Sequence, residues 1–377
     1  MKKIILTLVF SSLLLFGGTV YAESENSLII ESQSIPLTAD NYATEKLGMY
    51  LSATLGIENE KTNITDYQLG TPFKMINEEN EEEGTALYPV MYQDTIRFVF
   101  YVRKTDGEYS GTLSKFLADE LQFIKDQGIS TIENPITFYE KNKDIFYELN
   151  GTIHKIYTSP IRPENEEAVT DTVLIDSKKE ISNLETINTL EEIEFTVNNT
   201  DSNKPLGRST LIDKANNRIN WSVTETQGSS SWCSAYAAAM ILNNKNDKRP
   251  TSVAQIVSWG KKPSDKGFSD DEIIKYANTR GVYPYKVNRI MNWNEVVTEV
   301  RKSNAIWGAW RGTGNYKGAY HAIDVIGTYY ENTFGEFKGY WVWNPWYKSI
   351  DLVEAKSSVV YSVPNGSFIW ERSVTNW

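Results

Sequence analysis

The 377-residue chain has one cysteine, Cys233, in the run Thr226-Gln227-Gly228-Ser229-Ser230-Ser231-Trp232-Cys233-Ser234-Ala235-Tyr236. Cys233 opens an apolar segment that reads as a helix, behind a loop of small residues. A helix N-terminus favours an anion, so a thiol placed there is biased toward thiolate, the form that attacks carbonyls. The competing assignment is a small buried hydrophobe, the commoner fate of a lone cysteine. Of the two histidines, His154 lies in Gly151-Thr152-Ile153-His154 and His321 in Gly318-Ala319-Tyr320-His321-Ala322-Ile323-Asp324-Val325. His321 opens an apolar strand in the same half as Cys233, where an imidazole could take the thiol proton. His154 reads as structural. Trp341-Val342-Trp343-Asn344-Pro345-Trp346 supplies a third element. Asn344 could orient the second ring nitrogen of a histidine without adding charge, and Trp346 could shield that bond from water or simply pack in the core. Gln227, six residues before Cys233, could donate to a developing oxyanion beside the Cys233 backbone N–H, or cap the helix.

These residues need elements to hold them. Ser229–Ser231 are N-cap candidates for a helix over 232–244. Shorter helices are expected over 251–259, from the Ser269-Asp270-Asp271-Glu272 capping box to Gly281, and over 293–302. Strands are expected over 305–310, 321–330, 339–343 and 367–371. Helices first and antiparallel strands second imply two packed layers with a cleft between them. In the first half, Ile96–Arg103 is a strand ending at an Asp106-Gly107 turn. Phe116, Leu117, Leu121 and Ile124 space like one face of a helix over 113–127, closed by Gly128. Strands follow over 137–139, 145–149 and 152–157. An α+β unit is therefore expected over 86–175. Residues 23–80 are polar and mixed, Glu78–Glu83 is a solvated charge run, and 176–209 reads as an exposed linker.

Composition narrows the function. The chain carries 38 Lys+Arg and 49 Asp+Glu, for a net charge of −11. The split is uneven: −17 over residues 1–200 and +6 over 201–377, and all eleven Trp fall from Trp221 onward. Two units of different composition are expected. No Lys/Arg run suggests nucleic acid. One cysteine excludes an internal disulfide, and one Cys with two His argues against a structural zinc site. Neither cofactor nor metal is expected. Met1-Lys2-Lys3, the apolar run Ile4–Phe16 and Val20-Tyr21-Ala22 read as a signal peptide cut after Ala22. Its apolar run is short for a membrane span, so export without a stable membrane anchor is expected.

Gln227 and Cys233, then His321, then Asn344 with Trp346, in that order, resemble the papain-like cysteine proteases. The closer resemblance is to the staphopain family, on Glu225-Thr226-Gln227-Gly228, Trp232-Cys233, Leu242-Asn243, Asn288-Arg289, His321-Ala322 and Trp343-Asn344-Pro345-Trp346. It covers roughly 210–377, although Trp precedes the nucleophile here and the papain surround of the cysteine is missing. The resemblance implies Cys233 as nucleophile, His321 as base and acid, Asn344 as orienter and Gln227 in the oxyanion hole. It implies an α+β, papain-like two-layer domain over 210–377, behind a pro-region over 23–209 built on a half-barrel of strands that blocks the cleft. A secreted, monomeric endopeptidase zymogen is expected. Its partners would be protein substrates, its own pro-region as inhibitor and a dedicated inhibitor protein. A cell-wall amidase with a papain-like core and a catalytically inactive binding protein are the alternatives.

Overall fold

The computed structural model describes residues 28–58, 62–77, 85–141, 143–159, 214–245, 249–332 and 336–377, with the backbone of 186–189 and 192–193. The expected signal segment, the Glu78–Glu83 run and most of the 176–209 linker lie outside the described residues. The architecture is mixed α+β, with helices packed on large antiparallel sheets.

The first half has an element that the sequence reading did not place. Helix α1 (Leu37–Glu58) buries Ala39, Ala43, Leu47, Tyr50, Leu51, Ala53 and Leu55. These positions run most of the way round the helix, so no single apolar stripe marks it. After it come three antiparallel strands, β1 (Ala86–Tyr92), β2 (Thr95–Thr105) and β3 (Glu108–Ser114). Asp106 and Gly107 join β2 to β3 with φ of 52° and 85°, the two positive values that a tight hairpin link requires. The helix expected over 113–127 is shorter: Leu113 lies in β3, Leu117 takes φ 68°, and only α2 (Ala118–Gln127) is helical. Residues 113–114 are claimed by sheet pairing with β2, which overrides the helical spacing. Gly128 closes α2 with φ 59°. A second, smaller sheet contains β4 (Ile136–Lys141), β5 (Asp144–Leu149) and β6 (Thr152–Tyr157), close to the expected strands.

The second half begins with β7 (Lys214–Arg218), at the start of the expected peptidase domain, where no strand was expected. Four helices follow: α3 (Cys233–Asn244), α4 (Val253–Gly260), α5 (Asp270–Thr279) and α6 (Trp293–Arg301), each within two residues of expectation. Ser252, Ser269 and Asn292 cap the last three with full capping boxes. α3 is buried on nearly every side, by Ala235, Ala237, Ala238, Ala239, Met240, Ile241 and Leu242. It therefore sits between the other helices and the sheet. The strand layer is β8 (Ile306–Gly314), β9 (Tyr320–Glu331), β10 (Phe337–Trp343), β11 (Ile350–Glu354), β12 (Val360–Val363) and β13 (Gly366–Thr375).

The two halves share one sheet. β3 pairs antiparallel with β11, Leu113 opposite Leu352 and Thr112 opposite Val353, giving the order β1-β2-β3-β11-β10-β9-β8-β13. Their cores join as well, with α1 and β1–β3 side chains in one apolar cluster with those of α3 and β8–β13.

Candidate active site

Cys233 is the first residue of α3 and is buried. The expected serine cap is not made. Trp232 occupies the N-cap position and no side chain among the described residues caps the helix; Ala235 N–H turns back to Trp232 O (2.9 Å), and the Cys233 and Ser234 N–H groups face the thiol. The preceding loop is pinned instead by Ser231 N–H to Ser264 O (2.6 Å) and Trp232 Nε1–H to Pro263 O (2.8 Å). Burial pushes the Cys233 thiol up, against weaker downward pulls from the Ala322 backbone and Ser234. The contact with Ala322 brings the sulfur beside the residue that follows His321.

His321 is the second residue of β9, opposite Trp310 of β8, and only 1% exposed. Trp346 stacks on its ring at 4.3 Å and Phe368 of β13 lies 5.2 Å away. His321 Nε2 lies 2.7 Å from Asn344 Oδ1. That oxygen also accepts the Trp346 backbone N–H at 3.0 Å. A backbone N–H can only donate, so the Asn344 atom is fixed as oxygen and Nε2 must carry the proton. The lone pair is then on Nδ1, which is buried and makes no hydrogen bond among the described residues. Burial holds the His321 pKa down at about 4, against an upward pull from Asn344. With the thiol raised and the imidazole lowered, the pair is neutral in this form of the chain.

Asn344 is fully buried at the end of β10, in a turn closed by Tyr347 N–H to Asn344 O (3.0 Å). The same turn is tied to the Gln227 loop by Gln227 N–H to Pro345 O (2.8 Å). Gln227 is buried, and its side-chain amide donates to Ser230 O while its Oε1 has no partner among the described residues. The structure thus brings Cys233, His321, Asn344, Gln227 and Trp346 to one place, where α3 meets β9 and the β10 turn. His154 is elsewhere, on β6, stacked on Tyr147 at 4.7 Å. Phe368 and Tyr347 were not anticipated. Phe368 sits in an ordinary apolar strand and carries no local signal; Tyr347 closes the Asn344 turn through its N–H, and its ring is placed by tertiary packing.

First-half residues cover this region. Phe116 stacks on Tyr347 at 4.4 Å, and Asn365 Nδ2 donates to Lys143 O at 2.9 Å. Asn315 donates to Glu140 Oε2, and Ser362 N–H to Thr112 Oγ1 at 3.0 Å.

Comparison with known proteins agrees in both halves. The family described as staphopain peptidase C47 matches residues 211–377, and the staphopain proregion matches residues 25–187. Staphopain A of Staphylococcus aureus (strain MRSA252) is 24% identical over 400 residues, covering 99% of this chain and 98% of its own. An extracellular cysteine protease of Staphylococcus epidermidis (strain ATCC 12228 / FDA PCI 1200) is 23% identical over 372 residues, covering 93% and 89%. With a staphopain proregion followed by a staphopain peptidase domain across nearly its whole length, this chain belongs to the staphopain family and is a cysteine-type endopeptidase that carries its own pro-region.

Proposed function

We propose that Cys233 is the nucleophile, His321 the general base and acid, Asn344 its orienter and Gln227 an oxyanion donor in a secreted endopeptidase made as a zymogen. The observation that carries this reading is the His321–Asn344 pair. The proton on Nε2 is held by an oxygen whose identity the Trp346 N–H fixes, so the free base is Nδ1. In the reaction, Nδ1 takes the Cys233 thiol proton as sulfur attacks the scissile carbonyl carbon. The resulting oxyanion is met by the Cys233 N–H at the uncapped helix start and by the Gln227 amide. His321 then returns its proton to the leaving amine, the C–N bond breaks, and a thioester remains. Water, deprotonated by the same nitrogen, releases the acid and restores the thiol.

The domain reading is 1–22 signal peptide, 23–209 pro-region and 210–377 mature enzyme, acting on protein substrates. The pro-region is the inhibitor, as the Phe116–Tyr347 stack and the shared β3–β11 edge suggest. Secretion is supported by the signal-like N-terminus and by the relative named as extracellular.

The test is a variant series in the processed enzyme. Cys233→Ala should abolish cleavage of a fluorogenic peptide and labelling by an epoxysuccinyl inhibitor. His321→Ala should cost about 10²–10⁴ in turnover, the usual share of a general base. Gln227→Ala should cost about 10²–10³, and Asn344→Ala less than His321→Ala. Activity of Cys233→Ala within tenfold of wild type would end this reading.

A further inference from the structure

Asn344 can orient His321 only if Asn344 is itself held. It lies in the turn that follows β10, with Pro345, Trp346 and Tyr347. Pro345 has no N–H to donate, so the turn depends on its other groups. Inside it, Tyr347 N–H closes on Asn344 O at 3.0 Å. From outside, Gln227 N–H donates to Pro345 O at 2.8 Å, and the indole Nε1–H of Trp343 donates to Tyr347 O at 3.0 Å. This last bond joins the residue just before Asn344 to the far end of the turn, so both ends are fastened to one side chain.

Trp343 is itself firmly placed. It is fully buried as the last residue of β10, paired with Asp324 of β9 on one side and Ile350 of β11 on the other. Trp221, from the segment that leads to Gln227, lies against its ring at 5.9 Å. A buried indole N–H needs an acceptor, and a second one stands close by. Asp324, its cross-strand neighbour, has two buried carboxyl oxygens that make no hydrogen bond among the described residues. The indole nevertheless donates to Tyr347 O. The fold thus leaves a buried carboxyl unsatisfied while the turn keeps its donor, although an unmade bond at such a group is destabilising.

We propose that Trp343 is a positioning residue for the reaction: its Nε1–H fixes the Asn344–Tyr347 turn, and through it the Asn344 oxygen against His321 Nε2. This rests on the assignment of Asn344 as the orienter of His321. Trp343 touches none of the reacting atoms. Without its N–H the turn loosens and the imidazole spends less time in the attacking orientation. Orientation acts on the chemical step and not on substrate binding, so the loss falls on kcat.

The experiment uses the full chain and the enzyme matured from it by limited proteolysis. Trp343→Phe keeps a buried ring but has no N–H. Benzothienylalanine at position 343, with sulfur in place of the indole N–H, keeps nearly the whole shape as well. Each should lower kcat on a fluorogenic peptide about tenfold, the rate equivalent of one hydrogen bond, with KM near its wild-type value. Trp341→Phe is the control. Its indole is buried on the same strand but donates to Asn216 Oδ1 at 3.0 Å, away from the turn, so kcat should stay near wild type. In the full chain with isotope-labelled histidine, the His321 Nε2–H should exchange with water faster in both position-343 variants and not in Trp341→Phe. An equal loss of kcat in Trp341→Phe, or wild-type kcat in the benzothienylalanine protein, overturns the positioning role and leaves the catalytic assignment standing. So does an Nε2–H whose exchange is the same in every variant. Wild-type kcat in Asn344→Ala would instead remove the orienter, and the role of Trp343 with it.

Discussion

At the scale of single residues, the chemistry depends on which atom holds which proton. The Asn344 oxygen accepts from two donors, and this leaves the free lone pair on His321 Nδ1, the base of the proposed mechanism. Proton affinities then decide whether the base can act. Burial raises the Cys233 thiol and lowers His321 to about 4, so the unprocessed chain holds thiol and imidazole rather than thiolate and imidazolium. Neutral thiol is a poor nucleophile. Alkylation of Cys233 by iodoacetamide should therefore be slow in the full chain at neutral pH, and should rise only as alkaline pH forms thiolate. After maturation water should reach the sulfur, and with burial relieved the helix N-terminus on which it already sits should carry fast alkylation to lower pH. The check is the pH profile of the alkylation rate before and after processing; identical profiles would show that the pro-region has no part in setting these protonation states.

At the scale of elements, α3 rests on the sheet, and the contact includes an unusual residue. Asp324 of β9 is fully buried between Trp307 of β8 and Trp343 of β10 in the cross-strand register. Both indole N–H groups donate elsewhere, to Ser234 O at 3.4 Å and Tyr347 O at 3.0 Å. Neither carboxyl oxygen of Asp324 has a hydrogen-bond partner among the described residues, and burial pushes its pKa well above the carboxylate range. A carboxyl whose pKa is raised by folding contributes stability at low pH that is lost as pH climbs from about 4, its unfolded value, through the raised folded value. Asp324→Asn removes the titration, so its urea midpoint should vary less between pH 4 and pH 8 than that of the wild type. Parallel curves for the two proteins would mean that Asp324 does not titrate with folding.

At the scale of the whole molecule, two unlike halves are joined along one strand edge. Their charges are opposed, −19 over residues 23–200 and +6 over 201–377, a field that speeds encounter and sets orientation more than final affinity. Asp351 of β11 lies at the joint, buried against Tyr361 and the pro-region's Ser114 and Tyr101. Burial raises its carboxyl to about 6, against the downward pulls of the Tyr361 hydroxyl, which donates to it at 2.6 Å, and of the nearby Ser114 and Ser349. Departure of the pro-region removes Ser114 and Tyr101 and lets water reach it. Docking therefore takes up a proton between about pH 4 and pH 6. The pro-region should bind the processed enzyme most tightly below this window. Affinity should fall as pH rises through it, by at most about 3 kcal/mol, and level off above. The inhibition constant of separately produced pro-region, followed from pH 4.5 to 7.5, checks this, with Asp351→Asn expected to give a flatter curve. An inhibition constant that tightens with pH would refute it.

Much of this was legible from residue order alone. The helix that opens at Cys233, the strand that opens at His321 and the Asn344-Pro345-Trp346 turn are local patterns, and each has nearly its expected bounds. The capping boxes at Ser269 and the tight turn at Asp106-Gly107 are local for the same reason: each is decided within four residues. What was not legible depends on contacts far apart in the chain. α1 is buried on every side over residues 47–53, so its apolar positions do not form one stripe, and residues 113–114 join a sheet although their spacing suits a helix. Strands β7 and β11 become strands only because β9, β10 and β3 pair with them. In the site, the residue types that could do the chemistry were fixed by sequence, but not the proton on Nε2, the donation of the Gln227 amide to Ser230 or the ring of Phe116 on Tyr347. Those follow from hydrogen bonds and packing between segments 3 to more than 200 residues apart, and only the folded chain brings these atoms within reach of one another.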